Sequence, residues 1–389
     1  MPIVKPKDAK PLTGLQAALK DCKVGVKPKE PLWGGPVEVG TTQSLLSKYI
    51  VCPERFRIRV IEGLASPPKF NHRLEFGSLW HICEEYFAKD VKHDWRKPLL
   101  DACKKLAEQY PLDRGDINKW YNVILKQFPH YVKFWEKHPD IIARKPLIQE
   151  QVFCVDYKLP SGRTCKLKGK FDSVDLVAKG KIKGIVLQEN KTKSDIVPEQ
   201  VEKQLRRDLQ TMFYLIALQS SQKYWYENGI LAPYDAVPIT GVRYNVIRRP
   251  LSGGRGTIKR NEAKETEEQY YCRLEQYFID EPEYWFMRWN TEVTAKDVVA
   301  FKEQVLDPVL ENLLDDYEWW NCCIRDGHNV WNYVYRHVLF PNHAHRHFIL
   351  PFGVYNVIAD GGATDLDEFT FSGSEVGLQR GVPLFTELQ

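Results

Sequence analysis

Long hydrophobic runs, internal repeats, a nucleotide-cradling lysine loop and a paired cysteine framework are all missing from this 389-residue sequence. Each absence removes a class. No apolar stretch approaches the roughly 20 residues that cross a bilayer, so a membrane-spanning chain is not expected. The opening segment, "MPIVKPKDAKPLTG", has no apolar stretch of the secretory kind. The nine cysteines are odd in number and scattered, which argues for a reducing interior and against a disulfide scaffold. A cytoplasmic protein is the expectation. No Gly-x-x-x-x-Gly-Lys-Ser/Thr loop occurs, so the chain brings no ATP motor of its own.

What is present is an ordinary globular composition, 43% hydrophobic and 12% aromatic, with a net charge of only +4. The charge is uneven. Residues 161–260 carry 19 Lys and Arg against 9 Asp and Glu, and the rest of the chain is acidic. A basic middle segment fits either a face for a polyanion or a lysine-rich solvated surface.

The pattern along the chain divides it into four parts. Residues 1–38, rich in Lys, Pro and Gly, read as a loose arm. Residues 39–144 read as a helical lobe: "TTQSLLSKYIVCPERFRIRVIEGL" gives one or two helices broken near Cys52-Pro53. "LEFGSLWHICEEYFAKD" gives another, with Leu79, Ile82, Cys83 and Tyr86 at helical spacing, and helical hairpins follow from Trp95 to His138. Residues 145–260 change texture. "LIQEQVFCVDYKL" and "RTCKLKGKFDSVDLV" read as strands joined by a Pro-Ser-Gly turn, and "KGKIKGIVLQENKTK" as a third. One long amphipathic helix is expected from Pro198 to Trp225, then a fourth strand in "ITGVRYNVIRRP" and a basic, glycine-rich loop. Residues 261–389 read as a C-terminal helical region and a tail that resists assignment.

The strands carry a chemical oddity. Side chains alternate along a strand, so Leu187, Glu189 and Lys191 share one face, and Asp172 shares its face with Val174 and Leu176. If the strands pair, two carboxylates and an ammonium converge among apolar neighbours. Burying them is costly without a partner. Hard carboxylate oxygens suit Mg²⁺ or Mn²⁺, and Lys191 could then orient a water or stabilise charge on a phosphate. On an exposed hairpin the same charges would simply point into solvent.

Three neighbours extend the pattern. Gln210 and Tyr214 lie one helical turn apart on the following helix, His81 lies upstream in "FGSLWHICEEYF", and Cys52-Pro53 lies in "SKYIVCPERFRIRVIEGL". Cys52-Pro53 with Phe56, Gly77 with His81, Gly169 with Asp172, Glu189 with Lys191, and Gln210 with Tyr214 form an ordered set. In that order it resembles the RecB-like branch of the PD-(D/E)XK nuclease superfamily. The resemblance implies an α/β fold: a small mixed sheet flanked by helices, with helical N- and C-terminal additions. It implies a metal-dependent DNA nuclease in which His81, Asp172, Glu189 and the Asn190 carbonyl hold Mg²⁺ or Mn²⁺ and Lys191 is the catalytic lysine. Gln210 and Tyr214 would position the DNA backbone or the attacking water. Glu150 in "LIQEQVF" resembles a family glutamate that serves as an outer ligand, and reads equally as an exposed strand residue.

The expected activity is that of a phage-type exonuclease on DNA ends, in recombination or DNA processing, acting alone or with a helicase or a single-strand annealing protein. A structure-specific or restriction-type endonuclease and a catalytically inactive DNA-binding subunit are the alternatives. Many RecB-like relatives bind a [4Fe–4S] cluster through the cysteine of the Cys-Pro helix and three near the C-terminus. Here the adjacent pair Cys322-Cys323 does not reproduce that spacing, so no iron–sulfur cluster is expected and Cys52 reads as a small buried residue. His343, His345 and His347 alternate in "NHAHRH" without a companion ligand pair, and read as packing or solvent residues before a zinc site. In "RRPLSGGRGTIKR", Arg248, Arg249, Arg255, Lys259 and Arg260 could track DNA phosphates, and a disordered surface loop is compatible with that role.

Overall fold

The computed structural model describes residues 32–61, 63–64, 69–89, 94–137, 144–178, 183–205, 208–229, 239–250 and 264–326. Residues 1–31 of the expected arm, Arg255, Lys259 and Arg260 of the basic loop, and the His343, His345 and His347 segment lie outside them. The chain divides into two compact units. Unit 1 takes residues 1–67, 156–167 and 303–389, and unit 2 takes 68–155 and 168–302.

Unit 1 begins with the single-turn helix α1 (Gly35–Glu38), the short strand β1 (Thr41–Thr42) and helix α2 (Gln43–Val51). Thr42 starts α2 by accepting the Leu45 N–H at 3.2 Å, which satisfies one of the donors a helix start leaves open. The helix stops where sequence pattern places the break. Cys52 is fully buried, its Sγ receives the Arg55 N–H at 3.4 Å, and Pro53 opens α3 (Pro53–Phe56).

Unit 2 opens with α4 (His72–Lys89), α5 (Arg96–Gln109) and α6 (Arg114–Glu136). Asn71 caps α4, its Oδ1 accepting the Arg73 and Leu74 N–H groups. The stripe α4 buries is Phe76, Leu79, Trp80 and Cys83, not the one expected through Tyr86, which stands exposed. The large rings decide the rotation. Trp80 packs edge-on against Phe128 and Tyr131 of α6 at 5.2 and 5.3 Å, and each such buried aromatic contributes roughly 1.5–3 kcal/mol by area alone.

The sheet follows. β2 (Arg144–Lys158) and β3 (Thr164–Val177) form a long hairpin. Its Pro-Ser-Gly turn closes as expected, with Gly162 at φ +88 and the Leu159 N–H donating to the Arg163 carbonyl at 2.8 Å. β4 (Gly184–Lys193) pairs antiparallel with β3 and parallel with β5 (Ile239–Arg248). Between β4 and β5 the chain crosses over through α7 (Pro198–Leu205) and α8 (Leu209–Glu227). The single long helix expected here is therefore two. Asp208 adopts an extended conformation and its side chain caps α8. After β5 come α9 (Glu267–Asp280), α10 (Pro282–Trp285), β6 (Phe286–Glu292) and α11 (Ala295–Phe301). β6 pairs antiparallel with β5, a strand not expected in a region read as helical. The strand order is β1-β3-β4-β5-β6, with β2 also on β3, so the fold is the mixed α/β sheet flanked by helices that was expected. β4 lies between two partners and is buried from Ile185 to Asn190. A strand covered on both faces reads as continuously apolar, so polar residues inside it need a reason.

Unit 1 is completed by the hairpin tip, residues 156–167, and by α12 (Asp307–Asp326). Within this unit Trp320 stacks on Phe56, Tyr317 packs edge-on against Trp33, and Tyr49 bonds Asp316. From the hairpin tip, Tyr157 donates to Asp307 at 2.6 Å and Arg163 reaches Glu311 and Asp315. Among the described residues no helix is long and apolar enough to cross a membrane.

Candidate metal centre and active site

The β3–β4 ladder ends at Ser173 opposite Gln188. One residue further along each strand stand Asp172 and Glu189. Asp172 Oδ2 accepts the backbone N–H of Asn190 at 2.8 Å, which ties the two strands together just beyond their ladder. Glu189 is fully buried. Its Oε2 accepts Lys191 Nζ at 3.2 Å and Gln210 Nε2 at 2.7 Å, and Lys191 Nζ also donates to Gln210 Oε1 at 2.6 Å. Glutamate, lysine and glutamine thus close a triangle. The break between α7 and α8 makes it: Asp208 Oδ1 accepts the Gln210 N–H at 3.1 Å, so Gln210 sits in the first turn of α8 within reach of β4.

Tyr214, one turn on, packs edge-on against Phe153 and Phe171 at 5.3 and 5.8 Å. Gly169 makes room for it. A Cβ there would meet Phe153 Cζ at 2.6 Å and Tyr214 Cε1 at 2.9 Å. Gly77 has a similar use on α4, where a Cβ would lie 3.2 Å from Thr192 Oγ1 of β4. Close approach of helix to strand, one turn before His81, sets how far the imidazole reaches.

His81 Nδ1 lies 3.5 Å from Glu150 Oε1 and 3.9 Å from Asp172 Oδ1. The Glu150 side chain is 3% exposed and its second oxygen takes Lys170 Nζ at 2.7 Å. Its backbone has φ +45, the only positive φ outside glycine among the described residues. Such a conformation costs on the order of 1–3 kcal/mol and persists where surroundings impose it, often at functional sites. His81, Glu150 and Asp172 each offer one ligand atom within 4.8 Å of the others.

The electrostatics point the same way. Burial and the Asp172 charge push Glu189 up to about 8 against the opposing pull of Lys191. Asp172 is raised by burial and Glu150 against the pull of His81. Burial would lower His81, but Asp172, Glu150 and Glu84 outweigh it and lift the imidazolium to about 10. Burial also disfavours the Lys191 ammonium, yet Glu189, Asp172 and Asp208 raise its pKa overall. Glu150 goes the other way, lowered because His81 and Lys170 overcome its burial. Within the cluster, Glu189 Oε1 is buried without a hydrogen-bond partner. An orphaned buried carboxylate oxygen is costly. Two carboxylates, an imidazole and that oxygen are a donor set a hard divalent cation fits.

The structure brings together His81, Asp172, Glu189, Lys191, Gln210 and Tyr214, and it adds Glu150 to the cluster as a buried member, not the exposed strand residue it could have been. Asn190 contributes its N–H to Asp172, while its side-chain Oδ1 accepts Gln188 and Asn245. The placement of Arg248 and Arg249 on a basic loop is corrected. Both are buried at the end of β5, where Lys193 pairs with Arg248 and the Arg249 N–H bonds the Lys193 carbonyl. Their guanidiniums serve internal carbonyls: Arg248 those of Tyr284 and Ser194, Arg249 that of His72. Three site members were not singled out in the sequence. Lys170, two residues before Asp172 on the same strand face, carried an alternation signal. Glu84 and Tyr131, joined by a 2.7 Å hydrogen bond, carried none.

Compared with known proteins, residues 41–297 match the family model described as PD-(D/E)XK nuclease superfamily. No curated protein matches the chain.

Proposed function

The chain belongs to the PD-(D/E)XK nuclease superfamily, and from that premise we propose that it is a Mg²⁺- or Mn²⁺-dependent DNA exonuclease of the RecB-like branch. The observation that carries the reading is the Glu189–Lys191–Gln210 triangle set beside the His81–Glu150–Asp172 cluster. The divalent cation would be held by Asp172 and Glu189, with His81 and Glu150 alongside, and when bound it supplies Lewis-acid stabilisation of the phosphoryl oxygens.

The chain's own groups do the rest. Lys191 stays an ammonium at neutral pH because its acidic neighbours outweigh its burial. It is therefore a donor and charge stabiliser for the phosphate, not a base. Gln210 and Glu189 hold Nζ at one place, which keeps that stabilisation preorganised. Tyr214, fixed by the gap at Gly169, positions the substrate side of α8. In the hydrolysis a water oxygen forms a bond to phosphorus and releases a proton, the bond to the leaving alkoxide breaks, and the leaving oxygen takes up a proton, so that the water is divided between the two products. To act as a ligand, His81 would have to be neutral.

The exonuclease reading, with a phage-type role in recombination or DNA processing in the cytoplasm, rests on the ordered motifs of the RecB-like branch. Unwinding, where needed, would come from a helicase partner, since the sequence has no motor loop, and a single-strand annealing protein would suit the product of end resection. The test is to incubate the protein with linear and with covalently closed DNA in Mg²⁺ and in Mn²⁺. Loss of linear DNA alone is expected. Loss of both would make it an endonuclease, and loss of neither with DNA still bound would make it a binding subunit.

A further inference from the structure

Unit 2 contains a cavity of about 270 Å³ that Asp172 and Glu150 line together with residues taking no part in the triangle. Much of its wall is apolar: Phe87 of α4, and Tyr131 and Trp135 of α6. Arg288 of β6 also lines it, its guanidinium carbon 3.6 Å from the centre of the Trp135 ring. Glu84 stands in the same wall. It is 9% exposed, its Oε1 holds the Tyr131 hydroxyl at 2.7 Å, and its Oε2 has no hydrogen-bond partner.

Charge decides what can enter. Glu84, Glu136, Glu150 and Asp172 line it with a single arginine, which gives a bare phosphate little to bind. Aromatic walls favour a flat ring, and an unpartnered carboxylate oxygen favours a ligand with N–H donors. The volume sits just below the range of ordinary small-molecule pockets, enough for one ring system and too little for a dinucleotide. We propose that this cavity receives the nucleobase adjoining the scissile phosphate, turned out of its stack, with the aromatic residues along its faces and Glu84 accepting from its edge. Enzymes working on nucleic acids do unstack bases into such pockets. Every base carries an N–H on its pairing edge, so the pocket takes any base and discriminates against none at all. The inference rests on the nuclease reading of the neighbouring cluster.

The test uses the Lys191→Ala protein, expected to bind without cutting, and short labelled single-stranded DNAs carrying a stable abasic analogue at one position at a time. Removing the base at one position near the end should weaken binding about 10- to 100-fold, the share of one stacked base, and removing it elsewhere should not. Val132→Trp, which fills the cavity, should give the intact DNA that same loss and make the abasic position neutral. Ala88→Phe does the same job should the tryptophan variant fail to fold by circular dichroism. Unchanged binding at every abasic position, while the unmutated protein still degrades linear DNA, would overturn the pocket and leave the nuclease reading standing. Failure to bind or cut any DNA would remove both.

Discussion

Glu189→Gln should make the metal-free protein more stable at neutral pH, and the size of the gain follows from the site. The substitution keeps the shape of the side chain and removes a charge from a fully buried position. In the folded chain the carboxyl protonates at about 8, against an ordinary 4.5, because burial and Asp172 disfavour its anion. Between those values the native state holds a proton that the unfolded chain has lost. Stability therefore falls as pH rises through that window. One proton is worth at most about 1.4 kcal/mol per pH unit, so roughly 2–3 kcal/mol separates about pH 5.5 from pH 7.5. For a protein body of this size that is a drop of about 5–10 °C in melting temperature. Glu189→Gln should lack this share of the slope. Melting both proteins with a chelator across that range should show curves that meet at acid pH and diverge above it, the variant higher. Added Mn²⁺ should raise the unmutated protein and leave Glu189→Gln nearly unmoved. A variant less stable than the parent at every pH would mean that Lys191 and Gln210 fully compensate the carboxylate, and the reasoning would fail.

Other outcomes follow from the same geometry. Lys191→Ala should lose at least about 10²–10³-fold in cleavage rate, the usual cost of removing one preorganised donor, while binding DNA and melting as before; full cleavage by the folded variant would end the lysine's catalytic assignment. Gly169→Ala should lower stability by about 1–3 kcal/mol through overpacking, because its Cβ would stand 2.6 Å from Phe153 Cζ, and Phe153→Leu in the same chain should restore part of it. Unaltered melting of Gly169→Ala would show that the rings of Phe153 and Tyr214 move aside freely.

The residues legible in the sequence were those whose chemistry conflicts with their setting. Asp172, and Glu189 with Lys191, interrupt apolar runs, and they stand on neighbouring strands. The glycines were legible only as spacing. Their physical reason, the close approach of Phe153 and Tyr214 to Gly169 and of Thr192 to Gly77, appears only when the elements pack. Glu84 could not be found, because one of two adjacent glutamates on an amphipathic helix looks like solvent-facing charge. Arg248 and Arg249 misled for the converse reason. "RRPLSGGRG" has the composition of a phosphate-tracking loop, and although the strand pattern already runs through Arg248 and Arg249, nothing local says that their guanidiniums turn inward to distant carbonyls. Asp208 was a helix-cap signal hidden inside a continuous amphipathic pattern, and β6 fell in a stretch with no clean alternation, buried only at Phe286 and Thr291.

The discontinuity of unit 1 bears on how the chain is made. Its first aromatic residues, Trp33, Tyr49 and Phe56, find Tyr317, Asp316 and Trp320 only after some 260 further residues have been synthesised. At roughly 5–20 residues per second a ribosome leaves them waiting for tens of seconds. All of unit 2 emerges in that interval, since its last residue is Lys302. Nascent chains stalled before α12 would thus carry an uncovered apolar surface. That surface is a natural target for a chaperone, and without one it is where such chains would aggregate.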